Sequence, residues 1–460
     1  MSYRAAFSGL YPRIISYLLL AALLSLSLGC GSGSHSSSPS LTSIQISPST
    51  AAVRLGGSQQ YTAMGTFKDG SSQDVTSTVS WSSSQPSAVF INNQNGRNGF
   101  ATGIGTGTST ITASQANVQA SATLTVSNPT PRFAYVSPAQ HGPEIGIYTE
   151  GADGLLTPVT GSPIQLTGLN DMTIDPGGKF LFTAERAPSF VPQVSLKTYA
   201  VDHTSGTFSP PALSSLCCNN GFYDLLLSPS EQILHVVGNQ AISTISVDPA
   251  AKLALVGSTP VLVASTPADL THIVAEPGGK FLYAGISSSP NLAIFAIDSS
   301  NGMLTEQGTV PISGQAADHL VLDPTGQFLY LTHPDAFLLA YLVNGTTGTL
   351  TSIATIPTRG SPAVEAVHPT GKWLYVGICC NGHPSVSGFS IDPATGNLSE
   401  VTNVATANGG EPTILVVEPT GRFLYVEENL GTDIFTIDPK SGALTLVIRQ
   451  DLFTPSYFTF

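Results

Sequence analysis

The stretch VLDPTGQFLYL, at residues 321–331, joins two apolar runs through a short polar turn. Asp at the first turn position, Pro at the second and Gly at the fourth are typical of a type I turn. The second run recurs as FAYV, FLFT, ILHV, FLYA, FLYL, WLYV and FLYV, which begin at residues 133, 180, 233, 281, 328, 373 and 423. Because these starts lie 45 to 53 residues apart, the sequence predicts one supersecondary unit repeated seven times.

Each repeat contains four runs of strand length. One precedes the turn and one follows it; the third resembles IFAID, at residues 294–298, and the fourth resembles GMLTE, at residues 302–306. Four strands in roughly 48 residues are typical of a β-propeller blade. Helical repeats are excluded because the spacers lack an apolar period of about 3.6 residues.

The two ends of the repeat region predict how the ring closes. The first repeat has no strand before FAYV, whereas the last residues, TPSYFTF at 454–460, resemble SPAVEAV at 361–367 and EPTILVV at 411–417. We therefore predict that the C-terminal strand completes the first blade and closes a seven-bladed ring, which removes unpaired strand edges.

The segment before the repeats, residues 41–128, predicts a separate β-sandwich. It carries alternating strands with turn signals, among them KDGSSQDVT at 68–76, and it places Trp81 where a sandwich core needs an aromatic side chain. This segment resembles the bacterial Ig-like domain, group 2. The resemblance implies a spacer or an adhesion unit.

The first thirty residues have the pattern of an export signal. Arg4 and Arg13 both precede an apolar run at 14–28. The sequence LSLGC, at 26–30, overlaps the end of this run and ends in Cys30. This ending resembles the bacterial lipoprotein lipobox, although Ser27 stands where Leu is usual, and it implies lipidation of Cys30. The alternative is an ordinary signal peptide with an unrelated cysteine.

The predicted organisation has four parts. A signal peptide at 1–30 and a flexible Gly/Ser tether at 31–40 precede the Ig-like domain at 41–128 and the propeller at 129–460. We expect a monomer held in the cell envelope by its lipid anchor, facing the periplasm or the cell surface. A formal net charge of −13 argues against nucleic acid as a partner, and we expect neither cofactor nor metal.

The repeats also resemble a known family. The pattern P-x-G-K-F-L-Y-V followed by I-D-P-x-T-G-x-L, over about residues 132–460, resembles the seven-bladed lactonase family, which includes 6-phosphogluconolactonase, and the wider group of YVTN-type surface propellers. The resemblance implies the propeller fold. Because the shared motifs are structural turns, they imply lactone hydrolysis only weakly.

Polar residues recur at one place on the predicted innermost strands. The position five residues before each turn proline is roughly 16 Å along the strand from that proline, near the mouth of the central channel. The residues there, in order, are Asp171, Asp224, His272, His319, Val364 and Ile414. Four consecutive repeats thus predict a cluster for binding a polar ligand or a metal, or for acid–base chemistry. The alternative is a hydrated channel mouth without a ligand.

Lactonase-family enzymes often carry G-P-R-H at this strand start and N-E after the next strand. The fifth repeat keeps His319, but Asp318 replaces the Arg and Pro334 stands where the Glu would be. Further charged candidates on the same face are Glu185 and Arg186 in the second repeat and Glu427 and Glu428 in the seventh. The basic partner for an oxyanion is largely missing.

Three functions remain open at this stage. The leading hypothesis is a lipid-anchored module that binds a carbohydrate or a protein through the propeller. The second is a lactone hydrolase, and the third is a structural component of the envelope. Two adjacent cysteine pairs, Cys217–Cys218 and Cys379–Cys380, predict strained vicinal disulfides. A cross-link between the pairs, free thiols, or a metal or redox role are the alternatives.

Overall fold

The structure is a computed structural model of the chain. It describes residues 39–94, 96–129, 133–138, 142–166, 168–186, 194–208, 212–218, 222–238, 240–263, 266–287, 289–312, 316–317, 319–379, 383–428, 431–452 and 455–460. The predicted signal peptide with Cys30, and the tether up to residue 38, lie outside the described residues. Residues from Leu41 to Phe460 form one compact unit.

The Ig-like segment folds as a sandwich of three small sheets. Its strand orders are β1-β4-β5, β2-β10-β9-β6 and β3-β8-β7. Trp81 is buried in the shared core together with Tyr61, as the sequence predicts. The strands are β1 (Leu41–Ser47), β2 (Thr50–Arg54), β3 (Ser58–Gln60), β4 (Thr62–Phe67), β5 (Ser72–Asp74), β6 (Ser80–Ser83), β7 (Val89–Ile91), β8 (Phe100–Gly103), β9 (Gly107–Gln115) and β10 (Val118–Ser127).

The repeats form seven antiparallel sheets, which confirms the predicted all-β propeller. Blade 1 is β41 (Pro455–Thr459), β11 (Ala134–Pro138), β12 (Glu144–Glu150) and β13 (Leu156–Pro158), with β14 (Ile164–Gln165) beside β12. Blade 2 is β15 (Leu169–Ile174), β16 (Phe180–Arg186), β17 (Val194–Ala200) and β18 (Ser214–Cys218). Blade 3 is β19 (Phe222–Leu227), β20 (Ile233–Gly238), β21 (Ala241–Val247) and β22 (Leu253–Pro260), followed by the pair β23 (Leu262–Val263) and β24 (Thr266–Pro267).

The remaining blades follow the same order from the inside to the outside of the ring. Blade 4 is β25 (Leu270–Ala275), β26 (Phe281–Ile286), β27 (Asn291–Ile297) and β28 (Leu304–Pro311), and blade 5 is β29 (Leu320–Leu322), β30 (Phe328–His333), β31 (Phe337–Val343) and β32 (Leu350–Pro357). Blade 6 is β33 (Ser361–Val367), β34 (Trp373–Cys379), β35 (Ser385–Ile391) and β36 (Leu398–Ala405). A single 3₁₀ turn (Ala407–Gly409) leads to blade 7, which is β37 (Pro412–Val417), β38 (Phe423–Glu428), β39 (Gly431–Ile437) and β40 (Leu444–Gln450).

The repeated Asp-Pro-x-Gly sequence makes the turn between the first and second strands of a blade. In blade 5 the carboxylate of Asp323 accepts hydrogen bonds from the backbone N–H groups of Thr325 at 3.0 Å and Phe328 at 2.7 Å. Gly326 takes φ +68°, which suits glycine far better than other residues. These turns lie on one face of the ring, which we call the lower face; the upper face is the opposite one.

The C-terminal strand closes the ring, as predicted. β41 pairs antiparallel with β11, with Val136 opposite Phe458 and Ser137 opposite Tyr457. The ring of Phe458 stacks on Tyr425 of blade 7 at 5.4 Å, so the last strand also contacts the preceding blade. β41 thereby supplies the innermost strand of blade 1 and covers the edge of β11.

Tyrosines in the second strand of a blade connect neighbouring blades. The hydroxyl of Tyr330 in blade 5, for example, donates to the carbonyl of Gly396 in a hairpin of blade 6 at 2.9 Å. A side chain at Gly396 would collide with Phe328, so the tight hairpin fits only glycine. The same contact, which we call the tyrosine bridge, joins Tyr135 to Gly206, Tyr283 to Gly348, Tyr375 to Gly442 and Tyr425 to Gly154. Phe182 and His235 occupy this place in blades 2 and 3.

Over the described residues, the structure contains no helix that is both long and apolar enough to cross a membrane.

The tyrosine bridge should be measurable as stability. Tyr330→Phe removes a buried hydrogen bond and should lower the free energy of unfolding by about 1–2 kcal/mol in urea denaturation. Tyr341→Phe is the matched control, because the hydroxyl of this buried tyrosine makes no hydrogen bond within the described part of the chain. Equal effects of the two substitutions would show that the bridge adds nothing beyond packing.

Candidate functional site

The four polar residues predicted at the channel mouth do lie next to one another in the structure. Asp171 in blade 2 accepts a hydrogen bond from the backbone N–H of Leu225 in blade 3 at 2.6 Å. Asp224 in blade 3 accepts one from the N–H of Ile273 in blade 4 at 3.0 Å. Each aspartate therefore reaches across a blade interface and fixes the start of the next innermost strand.

Two histidines continue this chain of contacts through blades 4 and 5. Nδ1 of His272 lies 2.8 Å from Oδ2 of Asp224. The imidazole rings of His272 and His319 are stacked, with centroids 4.1 Å apart and planes 18° from parallel. We call this the histidine pair. Its side chains are 25% and 32% exposed, so a ligand at the channel mouth can reach them.

A buried glutamate completes the cluster from blade 6. Oε1 of Glu365 lies 3.5 Å from Nδ1 of His319. The Glu365 side chain is inaccessible to solvent, and within the described structure neither of its oxygens has a hydrogen-bond partner. An orphaned buried carboxylate is costly, which points to a functional reason for keeping it beside a histidine.

Sequence reasoning missed Glu365 because it considered a different position of the repeat. Val364 holds the place equivalent to His319, and the side chain of the next residue along a strand points the opposite way. Glu365 therefore faces blade 5, whereas Asp171 and Asp224 face the following blade. A signal was present in the sequence: the equivalent residues of the other repeats are all apolar, namely Met172, Leu225, Ile273, Leu320 and Leu415.

A local irregularity of the innermost strand lies just before each aspartate. The pairing register shifts between Leu169 and Asp171 in blade 2 and between Phe222 and Asp224 in blade 3. Such bulges bend a strand and redirect its side chains, and they are frequent beside functional sites. The blade 6 strand carries the same shift between Pro362 and Val364.

The closing strand adds a tyrosine to this region, which sequence reasoning also missed. The pKa of Tyr457 is raised, first by burial and then by the negative charges of Asp171 and Asp224. The side chain packs against the apolar core shared by blades 1 and 2. The residue that completes the ring therefore lies within electrostatic range of the cluster.

The charges of the cluster are set by burial and by pairing. Burial, followed by repulsion from Asp224, raises the pKa of Asp171 well above its usual value. Burial also raises the pKa of Asp224, but the adjacent His272 outweighs it and the net shift is downward. Burial lowers the pKa of His272, yet the Asp224 carboxylate outweighs it and the net shift is upward. The contacts thus favour an ion pair between Asp224 and His272.

Glu185 and Arg186, the blade 2 candidates, have different outcomes. The Glu185 carboxylate is buried and satisfied by Lys197 at 2.7 Å, Tyr199 at 2.6 Å and Thr183 at 2.9 Å. This network occupies its oxygens and leaves little capacity for a ligand. The side chain of Arg186 and the whole of Asp318 lie outside the described residues.

Glu428, the blade 7 candidate, belongs to a separate buried cluster. Its Oε2 lies 3.1 Å from Nη1 of Arg449, a cation that sequence reasoning missed because it lies on the outermost strand. Burial, then Asp433, raises the pKa of Glu428 to about 8, although Arg449 opposes this shift. Arg449 also donates to the carbonyl of Ala407 at 2.9 Å, so the cluster fastens the loop that enters blade 7.

Glu427, beside Glu428, also carries a raised pKa. Its carboxylate accepts a hydrogen bond from Thr432, with distances of 2.9 and 2.7 Å to the two oxygens. Burial raises its pKa to about 8, against the lowering effect of Thr432.

The described residues include one cysteine of the second pair and the candidate metal-binding side chains of most of the chain. Cys379 is disulfide-bonded. Cys380 and the side chains of Cys217 and Cys218 lie outside the described residues, so the predicted vicinal pairing stays a prediction. Across the part of the chain that the structure describes, no group of three or more His, Cys, Asp or Glu residues is placed to hold a metal ion.

Two family profiles match the chain. The family described as "Lactonase, 7-bladed beta-propeller" matches residues 193–366 and 344–458. The family described as "Bacterial Ig-like domain (group 2)" matches residues 40–126. The first match covers the propeller from the third strand of blade 2 onward, and the second covers the sandwich.

Solved structures and one curated relative are also similar. A periplasmic gluconolactonase of Pseudomonas aeruginosa superposes with a TM-score of 0.61 at 20% identity, covering 71% of this chain and 98% of that one. A candidate 6-phosphogluconolactonase of Bacteroides fragilis gives 0.60 at 19% identity, covering 72% and 99%. At such identities the likeness concerns the fold alone. Ice-binding protein 1 of Shewanella frigidimarina is 44% identical over 64 residues, and this chain spans 7% of its length.

The ion pair between Asp224 and His272 can be tested by titration. Asp224→Asn removes the carboxylate that contributes most to raising the pKa of His272, while burial still lowers that pKa. NMR titration should therefore show the pKa of His272 below its wild-type value. The pair's contribution to stability is lost as pH rises through the raised pKa of His272, and as pH falls through the lowered pKa of Asp224.

Asp171→Asn is the control for this titration, because Asp171 is the weakest of the charges that raise the pKa of His272. It should lower that pKa less than Asp224→Asn does. Equal shifts from both variants would contradict the assignment of the pair.

Proposed function

Because this chain belongs to the Lactonase family of seven-bladed β-propellers, whose profile matches more than half of it, we propose that it hydrolyses an uncharged lactone at the upper mouth of the channel. The reaction opens the ring ester with water and gives a hydroxy acid. The observation that carries the proposal is the histidine pair, in which each imidazole has a carboxylate beside its Nδ1. At 2.8 Å, Asp224 orients the His272 imidazole through Nδ1 and leaves its Nε2 for a substrate or a water molecule. At 3.5 Å, Glu365 acts on His319 through its charge.

The stacked rings give the pair two complementary roles. The two rings differ in their neighbours: Asp224 lies beside His272, and Glu365 lies beside His319. His272, whose pKa is raised, holds the proton and donates to the carbonyl oxygen as negative charge develops there. His319 acts as the general base that takes a proton from the attacking water.

Each proton in the reaction has a destination. The hydroxide oxygen bonds to the carbonyl carbon as Nε2 of His319 gains the water proton. When the tetrahedral intermediate collapses, the bond from that carbon to the ring oxygen breaks. The His319 imidazolium returns its proton to the leaving oxygen, which restores the neutral base. Glu365, buried beside His319, stabilises this imidazolium while it exists.

The charge of the cluster indicates the class of substrate. Carboxyl groups of Asp224 and Glu365 flank the histidine pair, and among the described residues neither of them pairs with a lysine or an arginine. A phosphorylated lactone would meet repulsion there. An uncharged aldonolactone fits better, and this distinguishes the proposed substrate from 6-phosphogluconolactone.

Hydrolysis of glucono-δ-lactone by the purified chain tests the proposal. His319→Ala should lower kcat/KM by about 10²–10⁴-fold, because it removes the general base. His272→Asn should lower kcat more than it raises KM, because its hydrogen bond strengthens in the transition state. 6-Phosphogluconolactone should be a poorer substrate than the uncharged lactone.

His203→Ala is the matched control for these variants, since His203 is an exposed residue of the blade 2 hairpin on the lower face. Its activity should equal that of the wild type. Wild-type activity in His319→Ala would remove the basis of the mechanism.

A second candidate is a module that binds a carbohydrate or protein without turnover. It is favoured by Asp318 and Pro334, which stand where lactonase-family members often carry Arg and Glu. Saturable binding on a glycan array, lost in His319→Ala and with no lactone consumed, would favour this candidate over hydrolysis.

We also propose that the chain works in the cell envelope, held by a lipid on Cys30. The support is the LSLGC sequence and the apolar run before it. Cys30→Ser should then move the protein from the membrane fraction to the soluble fraction. An unchanged distribution would leave the anchor without support.

A further inference from the structure

The Ig-like sandwich packs against the lower face of the propeller. Arg97, at the end of the sandwich, inserts between blades 4 and 5. Its Nη2 lies 3.3 Å from Oε1 of Glu276, with both side chains 2% exposed. Its Nη1 donates to the carbonyl of Thr325 at 3.0 Å. A buried charge with these partners fixes one domain against the other, because separation would leave Glu276 unpaired.

Two glycines of blade 5 leave space for the Arg97 side chain. A side chain at Gly345 of blade 5 would collide with the Arg97 stem, and a side chain at Gly326 would collide with its guanidinium. At the rim, Nζ of Lys280 donates to the carbonyl of Gly96, and Gln94 donates to Gln327 at 3.3 Å. These contacts differ from those of a spacer joined by a flexible linker.

The turn at Arg54–Ser58 in the sandwich crosses the lower mouth of the channel. Arg54 donates to the carbonyl of Pro176 in blade 2 at 2.8 Å. Gly56 is seated on Pro369 of blade 6, where an added Cβ would lie 3.2 Å from the Pro369 carbonyl oxygen. Blades 2 and 6 are three of seven sectors apart, nearly opposite across the ring. A turn that contacts both must pass beneath the channel axis.

A space open to solvent separates the turn from part of the lower face. A cavity of about 870 Å³ lies between Arg54–Ser58 and the lower turns of blades 2, 3 and 4. Its lining includes Thr173 and Ala275, which belong to innermost strands. The turn therefore lies below the innermost strands, across the route into the channel from the lower face.

We propose that the Ig-like domain is a fixed base of the propeller, locked by Arg97, whose Arg54–Ser58 turn stops the lower end of the channel. A ligand then reaches the histidine pair from the upper face alone. The Ig-like domain is then a structural part of the channel and not a spacer, whichever ligand binds at the upper face.

Scanning calorimetry of the full chain tests the lock. The wild type should unfold in one transition, and Arg97→Met should split that transition or lower its midpoint by several degrees. Arg422→Met is the matched control, because Arg422 is also on the lower face but pairs with Glu150 and Glu418 of the propeller itself. It should keep a single transition, with a midpoint lowered by less than in Arg97→Met, because the Arg422 side chain is half-exposed.

A milder variant keeps the test valid if Arg97→Met does not fold. Lys280→Ala removes an exposed contact and should shift the midpoint in the same direction by less. Two separate transitions in the wild type, or equal effects of Arg97→Met and Arg422→Met, would overturn the proposal.

Thiol labelling tests whether the Arg54–Ser58 turn blocks the lower end of the channel. In Thr173→Cys, a maleimide carrying a bulky polymer should react roughly tenfold faster when Arg97→Met is also present, because the loosened base opens more often. Peptide mass mapping reports residue 173 separately from the native cysteines. Equally fast labelling in both backgrounds would show that the turn does not stop the channel.

Discussion

The pairing of β41 with β11 is the constraint on which the rest of the structure depends. It joins the last residues of the chain to the first strand of the repeats, so that blade 1 receives its innermost strand from the end of the chain and the ring of seven sheets is closed. Closure then fixes the distance between every pair of neighbouring blades. The site residues come from different blades, and their separations are therefore properties of the ring.

The candidate site consists almost entirely of contacts between blades. Asp171 bonds to blade 3, Asp224 to blade 4, and His319 lies between His272 of blade 4 and Glu365 of blade 6. The tyrosine bridges join neighbouring blades nearer the lower face. Blade packing, polar contacts at the mouth and the closing strand thus stabilise the same interfaces, which explains how buried carboxyl groups can be held beside one another.

The sequence predicted the features that each repeat carries within itself. Turn chemistry, strand lengths and the unmatched first strand were enough to predict seven blades and their closure. The polar residues of blades 2 to 5 were predicted because they occupy one position of the repeat. Glu365 was missed because it occupies the next position of the repeat, and a repeat alignment contains no information on which blade a side chain faces. Tyr457 was missed because it belongs to the closing strand.

The position of the Ig-like domain was missed for a related reason. Arg97 is one arginine in a polar loop, and Gly345 is one glycine in a hairpin; the sequence gives no sign that they meet. The family profile matches the scaffold, whereas the proposed reaction and substrate rest on the contacts and charges around the histidine pair. Fold and chemistry therefore rest on different residues of the same strands.

Thermal unfolding of a chain that lacks residues 455–460, compared with the full chain, tests the central claim of closure most directly. Loss of β41 exposes the inner edge of blade 1 and removes the ring contact between Phe458 and Tyr425. We expect the truncated chain to lose its sharp transition and to melt broadly at lower temperature. A single sharp transition at the temperature of the full chain would contradict the account.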